Sequence, residues 1–437
     1  MSDQTSSDFV QFFRSSAPYI HAHRGRTFVI VFAGEAMKSA GLRSLVHDVA
    51  LLMSLGVRIV LVAGARPQID ERLKLRGLTP RYERGLRVTD RAALACVKDA
   101  AGTNRIELEA LFSTALPNSP MAGARIRITT GNYLMAKPVG VLDGVDYRFT
   151  GRVRKVDHET IRRQLEQGQL VLLSPIGYSA TGEAFNLSTA EVAAHAAVAL
   201  SADKLICLVE GKGLVDSSGK REDELDIREA EALLKRRKRI ANQFGRDIEA
   251  AIFALRGGVR RAHLIPRSVD GGLLRELFTR EGVGTLISQE RFEGLRQARA
   301  SDIPSLLDLI VPFEESGHLI RRPRELLEEQ IEQFTVIERD GMIVACAALE
   351  PHEEYETGEI SCVVVHPSYR AAGRADELLE YIERAAVQMG LKSVFVLTTQ
   401  TAHFFRERGY ESKPRWKLPP TKKVDKKRGS KIFVKEL

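Results

Sequence analysis

Residues Glu359 to Ala375 read Glu-Ile-Ser-Cys-Val-Val-Val-His-Pro-Ser-Tyr-Arg-Ala-Ala-Gly-Arg-Ala. An apolar run through Val363, Val364 and Val365 stops at His366-Pro367, small residues follow, and a helical pattern with Leu378 and Leu379 begins. A strand, a loop of small residues and a helix start, in that order, suit a pyrophosphate. The first amides of a helix lack an intrahelical acceptor, the helix dipole favours negative charge, and glycine and alanine let the backbone come close. Val365, Arg370, Ala371, Ala372, Gly373, Arg374 and Ala375 are the residues expected to hold that chain. Arg321, Arg322 and Arg428 offer planar guanidinium groups that grip a carboxylate through paired hydrogen bonds, which suits a dicarboxylic amino acid. Each of the three also reads as a solvated surface charge.

Strands and helices must position these groups. The segments 27–32, 57–62, 170–174 and 204–209 are strand-like. Helical stretches run from Gly34 to Met53, onward from Gln68, and over 189–200. Such alternation predicts a mainly parallel sheet covered by helices on both faces, with ligands at the carboxyl ends of the strands. Near Ser288 the alternation resets. A strand is expected at 294–300, then Asp302 capping a helix over 303–310, a hairpin of 334–339 and 342–350 turning at Asp340-Gly341, a strand over 359–365, a helix over 376–389 and a strand over 393–398. A helix over 8–20 carries Phe9, Phe12 and Phe13 on one face and is interrupted by Pro18; that face packs on another subunit or folds back on its own domain.

With 437 residues, 44% hydrophobic and 28% charged, the chain reads as globular with two domains of unequal size. No window approaches the roughly 18–20 apolar residues of a membrane span, and the start lacks the apolar core of a signal peptide. The four cysteines, Cys96, Cys207, Cys346 and Cys362, are scattered without metal-ligand spacing, as in reduced cytoplasmic proteins. The net charge of +8 is spread among many acids, which argues against nucleic acid and fits anionic small-molecule substrates.

The spacing Arg370-x-x-Gly373-x-Ala375 resembles the acetyl-CoA loop of the GCN5-related N-acetyltransferases (GNAT). The later segment Ala402-His-Phe-Phe-Arg-Glu-Arg-Gly-Tyr410 is similar to that family's ending. The resemblance implies direct attack of an amine on the acetyl-CoA thioester, with acetyl-CoA as donor substrate and neither a permanently bound cofactor nor a metal. Acetyl transfer needs a base for the ammonium, donors for the oxyanion and a proton for the departing thiolate. Glu359, at the start of the strand leading into the loop, is the expected base, with a strand-end surface carboxylate as the other reading. Backbone amides at Cys362 and Val363, where the related fold splays its strand, are the expected oxyanion donors. Cys362 itself is read as packing or substrate-lining. Many relatives protonate the thiolate with a tyrosine; here the segment is His403-Phe404-Phe405, and the hydroxyl of Thr398, with Thr399 beside it, is the nearest substitute. Arg321 and Arg322 lie in the segment that covers the acceptor side in this fold.

The first part resembles the amino-acid kinase fold, and N-acetylglutamate kinases in particular. The carriers are Gly85-Leu-Arg-Val-Thr-Asp90, Ser174-Pro-Ile-Gly-Tyr with Thr181-Gly-Glu-Ala-Phe-Asn186, Ala202-Asp-Lys-Leu-Ile206, Arg256-Gly-Gly-Val, and His263-Leu-Ile with Gly271-Gly-Leu-Leu-Arg-Glu276 and Gly282-Val-Gly284. It departs where phosphate would be handled. Val31 stands at the kinase lysine and Ala33 at the first loop glycine, while the second loop reads Ala63-Gly-Ala-Arg66-Pro67. An apolar side chain cannot neutralise phosphoryl oxygens, so kinase chemistry is not expected.

A kinase-like domain without its lysine, followed by a GNAT domain, resembles the bacterial N-acetylglutamate synthases. The expected fold is therefore α/β: an N-terminal amino-acid-kinase-like three-layer sandwich with a mainly parallel sheet, plus a C-terminal GNAT α/β domain. Expected divisions are an N-terminal oligomerisation arm over 1–22, the kinase-like regulatory domain over 23–287, a linker over 288–293 and the catalytic domain over 294–437. The resemblance implies L-glutamate as acceptor, as the first step of arginine synthesis. It also implies L-arginine as effector at Tyr19, His263, Glu276 and Gly284, with Glu276 meeting the guanidinium, and a homo-oligomer of six or four chains. The alternatives are an acetyltransferase for another amino acid with an arginine-sensing domain, an N-acetylglutamate kinase with an accessory domain, and a non-catalytic arginine sensor.

Overall fold

Strands whose residues are buried on both faces build the first sheet. Thr27–Phe32 is buried at all positions after its first, and Lys204–Val209 along its whole length. Such runs need cover above and below, which parallel strands joined by helices provide. The computed structural model describes residues 3–115, 119–211, 213–215, 221–236, 243–279, 282–289, 293–339, 342–370, 373–414, 418–420, 422 and 429–437. Within them the chain forms two compact units, Met1–Arg291 and Phe292–Leu437.

The first unit holds an eight-stranded sheet in the order Glu224–Asp226, Thr285–Ser288, Arg261–Pro266, Lys204–Val209, Thr27–Phe32, Arg58–Ala63, Leu170–Leu173 and Ile128–Thr129. Neighbours run parallel except Arg261–Pro266 against Thr285–Ser288. Alternation along Thr27–Phe32 sends Val29 and Val31 into one core and Phe28, Ile30 and Phe32 into the other. The result is the expected three-layer sandwich. A smaller sheet orders Ala184–Asn186, Ile176–Tyr178, Leu134–Pro138 and Gly151–Val156.

The second unit is a seven-stranded sheet in the order Glu293–Gln297, Phe334–Arg339, Met342–His352, Thr357–Val365, Ser393–Thr398, Lys431–Glu436 and Glu411–Ser412. Among the described strands only Thr357–Val365 and Ser393–Thr398 pair in parallel. The helix Arg374–Gln388 buries Leu378, Leu379, Ile382 and Ala386 in the core that also holds Ile360 and Val396. The helix Ile303–Glu315 buries Leu306, Leu309 and Ile310 in a separate core with Cys346 and Cys362.

Three local expectations change. The first helix spans Asp3–His23 and runs through Pro18. Its end is anchored by His23, whose Nε2 lies 2.8 Å from the Leu277 carbonyl and whose ring meets Phe28 and Phe278, so packing outweighs the missing amide. The helix from Ile303 continues past Pro312 to Glu315. Asp302 makes no side-chain cap to that helix. Its carboxylate instead takes two hydrogen bonds from Arg296, at 2.7 and 2.9 Å, and one from the Arg299 amide at 2.8 Å. The hairpin of Phe334–Arg339 and Met342–His352 is present, while its turn residues Asp340 and Gly341 lie outside the described residues. Among the described residues, no helix is long and apolar enough to cross a membrane.

Candidate active site

The loop expected to hold a pyrophosphate joins the end of Thr357–Val365 to the start of Arg374–Gln388. Gly373 occupies the N-cap position at φ +76°, a left-handed conformation that costs any residue with a Cβ. No side chain of the N-cap residue caps the helix there, and a helix start of this kind favours an anion. Arg374 donates from Nη1 to the Tyr369 carbonyl at 2.8 Å and lies over the Tyr369 ring, which ties the helix start to the turn Pro367–Tyr369. Arg370 is exposed, 5.7 Å from the Phe313 ring centroid, and Val365 pairs with Ala345. Ala375 sits in the helix's first turn. Ala371 and Ala372 lie outside the described residues.

Glu359 is 5% exposed, so it is no surface carboxylate. It stands directly across the ladder from Glu350 and, on the other side, beside Phe395. Beyond Ile360 the ladder to Ser393–Val396 ends, and on the other edge the register against Met342–His352 shifts between Cys346 and Ala348. Cys362 lies in that irregular stretch at φ +53°, and neither Cys362 nor Val363 belongs to a ladder pair. The strand therefore parts from its neighbour where the oxyanion donors are expected. The Cys362 thiol is buried, and its carbonyl lies 3.6 Å from Cys346 Sγ, which fits the packing role.

On the same strand, two residues past Glu359, Ser361 Oγ accepts a hydrogen bond from Arg322 Nη2 at 3.1 Å. Alternation puts residues two apart on one face, so the guanidinium and the carboxylate address the same side of the sheet. The Arg322 amide is tied to Glu314 Oε1 at 2.8 Å, which sets where the arginine leaves the chain. Arg321 is exposed, and Arg428 lies outside the described residues. Thr398 ends Ser393–Thr398; its hydroxyl accepts from the Thr401 amide at 3.1 Å and shares a 2.8 Å hydrogen bond with Thr401 Oγ1. Thr399 is exposed.

The sequence reading missed three groups around the carboxylate. Lys422 pairs with Glu359 and lies 3.8 Å from Glu350, so one ammonium offsets two facing carboxylates. Glu350, His352 and Glu359 bring donor atoms within 4.8 Å of one another, and His352 stacks on Phe395. Glu350-Pro-His352 has strand alternation, but only the register to Thr357–Val365 places it beside Glu359.

In the first unit, His263, Glu276 and Gly284 come together. Glu276 accepts at one oxygen from His263 Nδ1, at 2.8 Å, and at the other from the amides of Val283 and Gly284, at 2.7 and 2.8 Å. Burial alone would raise this carboxyl; the hydrogen bond from His263 and then the two amides hold it down at about 2. Burial and then the Lys204 charge lower His263, whose Nε2 lies 3.3 Å from Lys204 Nζ. Tyr19 approaches from the first helix, its ring 6.5 Å from that of His23, and burial lowers His23 to about 4. Lys204 and His23 were not foreseen.

The two loops at the kinase phosphate positions are packed on each other. A Cβ on Gly64 would stand 2.7 Å from the Gly34 amide nitrogen. Gln68 Nε2 donates to the Gly34 carbonyl at 2.7 Å, and Asn104 Nδ2 to the Gly64 carbonyl at 2.9 Å. Val31 is 3% exposed, inside the sheet core.

Comparison with known proteins agrees with this geometry. Residues 26–266 match the amino acid kinase family, and residues 303–410 match the acetyltransferase (GNAT) family. The chain is 50% identical to the amino-acid acetyltransferase of Ectopseudomonas mendocina (strain ymp) over 98% of its length and all of that protein's. The amino-acid acetyltransferase of Pseudomonas putida (strain GB-1) is likewise 50% identical, with the same coverage. The crystal structure of N-acetylglutamate synthase from Neisseria gonorrhoeae with coenzyme A and L-arginine superimposes with a TM-score of 0.85 at 38% identity, covering 98% of this chain and 99% of that one. The same synthase with coenzyme A and N-acetyl-glutamate gives a TM-score of 0.63 over the same coverage.

Proposed function

The chain belongs to the amino-acid acetyltransferases, enzymes that use acetyl-CoA as acetyl donor, and on that premise we propose that its acceptor is L-glutamate and its effector L-arginine. The observation that carries the acceptor is the placement of Arg322, bonded to Ser361, on the same face and strand as the buried carboxylate of Glu359. An α-amino acid needs a carboxylate receptor and a base on one side of the site, and this strand carries the base and, through Ser361, anchors the receptor. The carboxylate of Glu359 already meets an ammonium, that of Lys422, which supports the same reading of its charge preference. Arg428 is the further group for the side-chain carboxylate, and Arg321 an exposed cation at the same approach.

The residues divide the chemistry as follows. The amides at Gly373–Ala375 hold the pyrophosphate, Arg370, Ala371, Ala372 and Arg374 are assigned to the same role, and Val365 serves the donor side. Glu359 removes a proton from the α-ammonium, and the amine attacks the thioester carbon. The amides of Cys362 and Val363 take the charge on the carbonyl oxygen. As the carbon–sulfur bond breaks, the Thr398 hydroxyl gives the thiolate its proton, and the second proton lost by the nitrogen passes through water to restore it.

The first unit then serves regulation. Glu276 is ionised, buried and fixed by three donors, an arrangement suited to a guanidinium, with His263 and Gly284 bonded to it and Tyr19 assigned to the same effector site. The packed loops at Gly34 and Gly64, with Val31 in the sheet, support a domain that transfers no phosphate. We assign 1–22 to an oligomerisation arm, 23–287 to the regulatory domain, 288–293 to the linker and 294–437 to the catalytic domain. The exposed Phe12 and Phe13 support the first assignment. The test is thiol release from acetyl-CoA with a panel of amino acids, with and without L-arginine. Glutamate as sole good acceptor and an arginine-dependent rate support the proposal; equal rates on glutamate and lysine end it.

A further inference from the structure

We propose that His352 carries the reaction's surplus proton from Glu359 to solvent, acting through the base and touching no substrate itself. The inference rests on the reading of Glu359 as the base. It begins with a proton count. The α-ammonium of the acceptor brings three protons on nitrogen, the amide product keeps one, and the departing thiolate takes one. The third is left on Glu359 and must go before the next turnover. Glu359 is 5% exposed, so bulk water has little access to its carboxylate. Its ion-pair partner Lys422 is an ammonium, which only donates hydrogen bonds and cannot take the proton on.

The neighbouring strand supplies a route. Glu350 stands directly across the ladder from Glu359, and His352 follows two residues along, opposite Thr357. Alternation puts Glu350 and His352 on one face, which Glu359 shares through its pairing with Glu350. Donor atoms of all three lie within 4.8 Å of one another. His352 Nε2 is buried and has no hydrogen-bond partner among the described residues. A buried polar atom left so is costly, and a single water between it and the Glu359 carboxylate satisfies both ends. The ring is held by packing: it stacks on Phe395, with centroids 5.9 Å apart and planes at 24°. Phe395 is also the ladder neighbour of Glu359, so one aromatic floor keeps the imidazole beside the carboxylate. Glu350 marks the outer end of the path, its side chain 40% exposed against 6% for that of Glu359.

In the step itself, the proton on Glu359 passes through the water to one ring nitrogen of His352. The ring releases the proton on its other nitrogen towards Glu350 and solvent, and Glu359 is a carboxylate again. Only O–H and N–H bonds change, and exchange with solvent restores the starting tautomer. Imidazole suits the task because it accepts at one nitrogen while donating from the other.

Steady-state kinetics of the full chain test this. His352→Phe keeps a ring on Phe395 but cannot carry a proton. It is expected to lower kcat about tenfold or more, with the KM for glutamate and for acetyl-CoA and the melting temperature near wild type. His352→Ala should show a similar loss. Added imidazole should restore its turnover, and pyrrole, a ring of the same size without a basic nitrogen, should not. Wild-type turnover in His352→Phe, a loss in His352→Ala that imidazole leaves in place, or equal restoration by pyrrole overturns the inference. Glu359→Gln measured alongside separates the two readings. If it is impaired and His352→Phe is not, the relay alone fails; if it turns over as wild type, the base assignment fails and the relay with it.

Discussion

Arg322 Nη2 reaches across the second unit to Ser361 Oγ, 3.1 Å away, and so stands on the strand face that carries Glu359. A receptor for a carboxylate and an acceptor for a proton are thereby fixed to one rigid element, the strand Thr357–Val365.

If that pairing positions the acceptor, Arg322→Ala raises the KM for glutamate and leaves the KM for acetyl-CoA near the wild-type value. A charge-assisted hydrogen-bond pair is worth about 1.5–3 kcal/mol, which corresponds to roughly 10- to 150-fold in kcat/KM. Steady-state kinetics with each substrate varied in turn reads the split.

Replacing Glu359 with Gln keeps shape and removes the base. The expected loss in kcat is about 10²–10⁴-fold. Unchanged turnover would show that the proton leaves by another route.

Among the described residues no heavy atom lies within 4 Å of where a Gly373 Cβ would stand, so the constraint read here is its left-handed backbone. Gly373→Ala should cost about 1–2 kcal/mol of loop geometry, seen as roughly a tenfold rise in the KM for acetyl-CoA with folding intact.

The Glu276 carboxyl is held at about 2 against an ordinary 4.5. A depressed carboxyl contributes stability above its unfolded value and loses it as pH falls through the folded value. Glu276→Gln should therefore melt at lower temperature than wild type at neutral pH, and the gap should close between about pH 4.5 and 2, measured by calorimetry at a series of pH values. Acetyl transfer by the same variant without arginine should persist while its response to arginine is lost.

Some of this was legible in the sequence and some was not, for physical reasons. The loop Arg370-x-x-Gly373-x-Ala375 was legible because close backbone approach restricts residue type at fixed spacing. The buried strands Thr27–Phe32 and Lys204–Val209 announced a covered sheet by unbroken apolar runs. Glu350, His352 and Lys422 were not legible as neighbours of Glu359, because cross-strand register and a distant segment bring them there. Asp302 was read as a helix cap because local pattern does not show that Arg296 takes its carboxylate. Pro18 was read as a stop because a helix can be carried past a missing amide by an anchor such as His23, which meets a residue far along the chain.

The most direct measurement is the ratio of kcat/KM for glutamate to that for lysine, from acetyl-CoA thiol release, in wild type and in Arg428→Ala. With one receptor for the α-carboxylate and a second for the side-chain carboxylate, the wild-type ratio should exceed about 10⁴, the range reached when a site is built to pair a substrate's polar group. Arg428→Ala should pull it down by at least about tenfold. A ratio near one in the wild type, or one that Arg428→Ala leaves unchanged, would contradict the account.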